Sequence, residues 1–136
     1  MVPERQNSGR GSGVVTPHWI AHAVYILESI AAIEHYVKDF SDTAAALDDS
    51  KTRDAVLRRL ETLALSAAKL PQEFKAHHAH IAWKSIAGFR NILAHDYLGD
   101  IDNPLLIGII NKRLPELAAA LQKHGVSFAP ATPSTP

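Results

Sequence analysis

Seven apolar residues constrain this chain more than anything else in it. Trp19, Ala23, Ile26, Ile30, Ile33, Val37 and Phe40 follow one another in alternating steps of four and three. That spacing keeps every member on one face of a 3.6-residue helix and scatters them across both faces of a strand. It predicts a first helix starting near the Thr16-Pro17 cap signal, with a buried seam of about 22 residues, or roughly 33 Å. Val24, Leu27 and Ala31 widen that apolar face. Val56, Leu60, Leu63, Ala67 and Leu70 repeat the pattern, with Leu57 and Ala64 beside them and Pro71 marking an end or a kink. A third helix runs from Ile81 or Trp83 to Tyr97, burying Ile86, Phe89, Leu93 and Tyr97, with Gly88 allowing a close helix crossing. A last seam joins Leu106, Ile110, Leu114, Leu117 and Leu121, and Pro115 inside it demands a kink or a restart. No stretch alternates with period two for long enough to make a strand. The expected fold is all-α, a four- or five-helix bundle.

Short polar runs punctuate the seams. Ser41-Asp42-Thr43 ends the first helix and caps a short turn through Leu47, and Asp48-Asp49-Ser50 opens the second helix. Asp102-Asn103-Pro104 is a cap followed by proline at the first helical position. The ends differ from this middle. Residues 1–16 hold Asn7-Ser8-Gly9-Arg10-Gly11-Ser12-Gly13 and read as a flexible leader, native or added. Residues 125–136 read as a disordered tail rich in Pro, Ser and Thr. The folded unit is expected over residues 17–124.

Composition narrows the chemistry. With 14 Lys+Arg against 14 Asp+Glu in 136 residues, the formal charge is zero, which argues against coating nucleic acid over the whole surface. A local basic site is still open. The absence of cysteine excludes disulfides, thiolate catalysis and cysteine-ligated zinc. No apolar run approaches the roughly 20 residues of a membrane span, so a soluble, cytoplasmic protein is expected. His77, His78 and His80 invite a metal reading, but no carboxylate stands at a recognisable ligand spacing, and a plain polar segment is favoured. Arg53, Arg58 and Arg59 read as a solvated charged face ahead of an RNA contact.

One polar cluster stands out. Arg90-Asn91-Ile92-Leu93-Ala94-His95-Asp96-Tyr97 gathers a guanidinium, an amide, an imidazole, a carboxylate and a phenol in eight residues. Arg clamps phosphate through two parallel hydrogen bonds, and the imidazole of His exchanges protons near neutral pH. The pair points to chemistry on a phosphodiester, and the plain alternative is a polar helix end over a core. Asn91 would either position a substrate oxygen or cap the helix. Asp96 diverges from His95 by about 100° and is a weak candidate for orienting it. Arg90 and His95 themselves sit roughly 140° apart around an ideal helix. Either the helix distorts between them, or one copy's Arg90 approaches another copy's His95 across a symmetric interface. The interface is favoured.

Arg90, His95 and Tyr97 fit the pattern R-x4-H-x-Y. With it, the chain resembles the HEPN superfamily, and more narrowly the HepT-like toxins of HEPN/MNT toxin–antitoxin pairs of the type VII kind. The resemblance runs from about Ile26 to Leu121. It includes Lys51-Thr52-Arg53-Asp54-Ala55-Val56, Leu60-Glu61, Trp83, the run Ala87 to Tyr97, and Leu114-Pro115-Glu116-Leu117. It implies a small helical homodimer with a cofactor-free, metal-independent ribonuclease site at the dimer cleft. Arg90 and His95 would be catalytic, with Asn91, Asp96 and Tyr97 in support. It also implies an RNA substrate, tRNA among the candidates, and a nucleotidyltransferase antitoxin that transfers AMP to Tyr97 within a higher hetero-oligomer. One departure is visible. Where the family carries Gly-Glu-Ala on the second helix, this chain has Ala64, Leu65 and Ser66. The rival reading is a non-catalytic helical partner of a nucleotidyltransferase that binds nucleotide or phosphate without turnover.

Overall fold

The computed structural model describes residues 18–128, so the expectations for residues 1–16 and for the start of the first helix at Thr16-Pro17 lie outside the described residues. Among the described residues every regular element is helical. Four long helical arms carry the core, and two short helices join them.

The first arm, α1 (Trp19–Val37), buries Ala23, Ile26, Ile30 and Ile33 of the expected seam, together with Leu27. It stops three residues before Phe40, whose N–H bonds the Val37 carbonyl in a closing turn. Asp42 then accepts a hydrogen bond from the Ala45 N–H and starts α2 (Thr43–Asp48). Asp49 caps the second arm, α3 (Ser50–Ala67), by accepting bonds from both the N–H and the hydroxyl of Thr52. Those two bonds, the hydroxyl's first, hold the Asp49 carboxyl below the ordinary carboxylate range. Every position of the second seam, from Val56 through Leu70, is buried. Pro71 occupies the N-cap position of α4 (Gln72–His77).

The third arm departs from the expected single helix. It is α5 (Trp83–Gly88), a 3-10 turn over Phe89–Asn91, and α6 (Ile92–Tyr97). The cause is a change of period. Ile86, Phe89 and Ile92 are all buried, and they are spaced three apart. A helix of 3.6 residues per turn rotates such a row off the core, whereas a 3-10 turn with three residues per turn keeps it facing inward. Two expectations fall with this. Tyr97 is 89% exposed instead of buried. Gly88 serves no close crossing, because a Cβ built on it meets nothing within 4 Å.

The fourth arm is α7 (Asn103–Gly108), a π-helical segment over Ile109–Arg113, and α8 (Leu114–Lys123). Asp102 caps it through the Leu105 N–H. Pro115 explains the widened register. It has no N–H for the Asn111 carbonyl, and its ring crowds that carbonyl, so the turn before it opens. All five residues of the last seam are buried. The core also extends past Gly125, where the tail was expected to begin. Val126 is buried, and its N–H bonds the Leu121 carbonyl across the left-handed Gly125 (φ 98°). Residues 129–136 lie outside the described residues. The arms pack as an all-α bundle, with α3 touching α1, α2 and the whole third arm, and α1 also meeting α8. No described helix is long and apolar enough to cross a membrane.

Candidate active site

The polar cluster occupies the outer side of the third arm. Phe89 and Ile92 anchor it in the core, which leaves Arg90, Asn91, His95 and Tyr97 exposed. Among the described residues Arg90 makes no hydrogen bond or ion pair and presents a free guanidinium to solvent. Asn91 stands at the N-cap of α6 (φ −111°, ψ 15°), yet its side chain makes no capping bond. Of the two roles open to it, the capping one is not realised.

Arg90 lies in the 3-10 turn and His95 in α6, so the arm distorts between them. His95 lines a cavity of about 290 Å³ between the third and fourth arms, and Arg90 is not on its wall.

The carboxylate beside His95 is not its neighbour in sequence. After Tyr97 the chain closes a Schellman turn: the Gly99 N–H bonds the Asp96 carbonyl, and the Asp100 N–H bonds the His95 carbonyl, both at 2.9 Å. Gly99 takes the left-handed conformation (φ 82°) that this turn requires. The turn folds Asp100 back over the helix end, and its Oδ2 comes 3.6 Å from His95 Nδ1. That is an ion-pair distance, longer than a hydrogen bond, between two groups that are each more than half exposed. With Nδ1 toward the carboxylate, Nε2 is left for a substrate proton.

Asp96 is engaged elsewhere. Its Oδ1 meets Arg53 Nη1 at 2.6 Å, with both side chains about four-fifths buried. Arg53 also donates to Asn103 Oδ1 at 2.8 Å and to the Ile101 carbonyl at 3.0 Å. One side chain of α3 therefore holds the end of the motif helix, the following loop and the start of the fourth arm. The solvated arginine face is corrected accordingly. Arg53 is a clamp, Arg59 donates to the Tyr36 hydroxyl at 3.2 Å, and Arg58 alone of the three is exposed. Replacing Arg53 with Met is expected to cost about 2–3 kcal/mol, as for loss of charge-assisted bonds that leaves a partly buried carboxylate unpaired. Denaturant unfolding checks this, and a double-mutant cycle with Asp96→Ala should return a coupling above about 1 kcal/mol. Simple additivity would remove the clamp.

The histidine cluster behaves differently from an exposed polar segment. His77 and His80 are exposed, but His78 is buried and its ring lies 4.6 Å from that of Phe74. Burial, then the nearby His80, His124, Lys123 and His77, pushes the His78 imidazole below its ordinary pKa. Among the described residues no three His, Asp or Glu side chains come together in a way that would hold a metal ion.

Comparison with known proteins covers the same stretch. A gamma-glutamylcyclotransferase and candidate RNase of Methanocaldococcus jannaschii is 38% identical over 103 residues, 73% of this chain and 44% of that protein, so the chain spans under half of that relative. A protein of Thermococcus cleftensis named "Probable ribonuclease HepT" is 33% identical over 100 residues, 72% of this chain and 87% of the relative. A candidate RNase of Caldanaerobacter subterraneus subsp. tengcongensis is 34% identical over 93 residues, 68% of this chain and 81% of the relative. No solved structure gives a significant match. The family model described as "Ribonuclease HepT-like" matches residues 26–124, which takes in most of the first arm, the other three arms and the whole polar cluster, and the chain belongs to that family within the HEPN superfamily.

Proposed function

We propose that the protein is a toxin ribonuclease that cleaves RNA through the neighbouring 2′-hydroxyl, without a metal, and is silenced by AMP transfer to Tyr97. The observation that carries this reading is the exposure of the whole R-x4-H-x-Y set on one arm, with Arg90 free of any described partner. In the proposed reaction His95 takes the 2′-hydroxyl proton, the 2′-oxygen attacks phosphorus, the P–O5′ bond breaks, and the leaving 5′-oxygen takes a proton from water. Arg90 binds the phosphoryl oxygens and stabilises their growing charge. Asp100 lies beside Nδ1 and faces the ring edge away from Nε2. Asn91 offers its amide to a substrate oxygen.

Arg90 does not line the His95 cavity of its own chain, and a cleft shared by two copies would let each complete the other's site. Tyr97 and Leu98 are 89% and 71% exposed, and Leu105 beside the His95 cavity is 48% exposed, so apolar surface stands ready at this end. The partner proposed for Tyr97 is a nucleotidyltransferase antitoxin of the MNT type, within a larger hetero-oligomer.

The test uses the purified full chain and a tRNA pool in excess EDTA. Expected are fragments ending in a 2′,3′-cyclic phosphate, and resistance of any substrate carrying 2′-deoxyribose at the cut. Cleavage that needs a divalent metal, or that leaves a 3′-hydroxyl, would sink the mechanism. One observation favours the rival binding module. Leu65, where the family carries glutamate, is 54% exposed and brings no charge toward a substrate. No cleavage under any condition, with retained nucleotide binding, would establish that rival.

A further inference from the structure

The cavity beside His95 has a composition that proton transfer alone does not explain. It measures about 290 Å³, at the lower end of pockets that hold small ligands (roughly 300 Å³), which suits one heterocycle and not a whole nucleotide. Its walls are apolar, Phe89 from the 3-10 turn on one side and Ile109 from the π segment on the other. Gly88 lines it, and a Cβ there would meet nothing, so a larger side chain can be introduced at its wall. Three polar groups interrupt the apolar wall, namely His95, the Ser85 hydroxyl and the Arg113 guanidinium. Arg113 closes the π segment forced by Pro115, and its contact with Glu116, 3.9 Å and partly exposed, leaves donors to spare.

An apolar slot of this size with a guanidinium at its edge fits a flat ring that carries acceptors. Arginine has five donors and no acceptor, so it selects a base edge with two adjacent acceptors. Guanine presents such an edge in O6 and N7, whereas adenine pairs an acceptor with a donor there. RNA-binding proteins read single-stranded bases in this way, splayed out of the stack into a pocket. Resting on the ribonuclease reading, we propose that the cavity receives the nucleobase next to the scissile phosphate, that Arg113 selects guanine over adenine, and that Ser85 supplies a further hydrogen bond.

Binding of the four nucleoside 5′-monophosphates to the full chain, followed by amide chemical shifts, separates the base from the ribose and phosphate that all four share. GMP should bind about 5- to 150-fold more tightly than AMP, the discrimination of a bidentate arginine–guanine pair. Arg113→Ala should erase that ratio. Gly88→Leu should do the same by filling the slot, and its helical, unobstructed backbone makes it a safe substitution for folding. Lys112→Ala, next to Arg113 but off the cavity wall, should change nothing. In parallel, ends of cleaved random RNA should be enriched in guanine beside the cut for the wild type and not for Arg113→Ala. Selective GMP binding without any cleavage would uphold the pocket and defeat the ribonuclease reading. Cleavage without base preference, or GMP binding that survives Gly88→Leu, would overturn the pocket and leave the ribonuclease standing.

Discussion

Replacing His95 with Ala is expected to lower RNA cleavage by about 10²- to 10⁴-fold, the usual contribution of a positioned general acid or base, and to abolish growth arrest in an expressing cell. The fold should survive, because the imidazole is more than half exposed and its ion-pair contact among the described residues is with Asp100, itself exposed. Unfolding midpoints therefore distinguish lost chemistry from lost structure. Asp100→Asn is the companion variant. Removing the charge beside Nδ1 while keeping the shape of the side chain should lower cleavage by less than His95→Ala does. His95→Ala with undiminished cleavage would take His95 out of the reaction.

The second large effect concerns silencing. Tyr97→Phe should leave stability within about 0.5 kcal/mol of the parent, as expected for a side chain that is 89% exposed. The variant should be refractory to the cognate nucleotidyltransferase. Intact mass should show AMP on the parent and none on the variant, and cells carrying both proteins should still arrest. The physical basis is simple. An added AMP brings an anionic phosphodiester and a bulky nucleoside to a surface that must admit another phosphate, so it repels and obstructs at once. AMP incorporation into Tyr97→Phe at the parent's level would move the acceptor to another residue.

The seams were legible because burial and periodicity are the same fact seen twice. Ile26, Leu60 and Leu117 lie where a 3.6-residue row puts them, and the all-α class follows. Breaks in that period were harder to see. The row of Ile86, Phe89 and Ile92 at strict threes announces a 3-10 turn only to a reader who already knows that all three are buried. Pro115 signalled a disturbance, but whether the helix kinks, restarts or widens depends on packing around it. At the site, R-x4-H-x-Y pointed to the arm and to its exposed groups. It could not reveal Arg53, 43 positions before its partner Asp96, because an arginine on a charged helix looks the same whether it is solvated or clamped. Asp100 was within reach: a glycine just past a helix end followed by a carboxylate is a signal that a Schellman turn will return that carboxylate to the last turn of the helix.

The Arg53 clamp has a consequence for motion. Loops and helix ends usually open first and independently, at small free-energy cost. Here the segment from Asp96 to Asn103 includes four exposed residues in a row, Tyr97, Leu98, Gly99 and Asp100, and would be a natural place for such opening. Three bonds from a single guanidinium, itself rooted in the central helix of the bundle, join its two ends and its middle. Opening the segment therefore means breaking all three together, so His95, Asp100 and Tyr97 hold their spacing through fluctuations that would blur an untethered loop. Rigidity at this site comes from a residue that lies outside the R-x4-H-x-Y set, 43 positions before the carboxylate it holds.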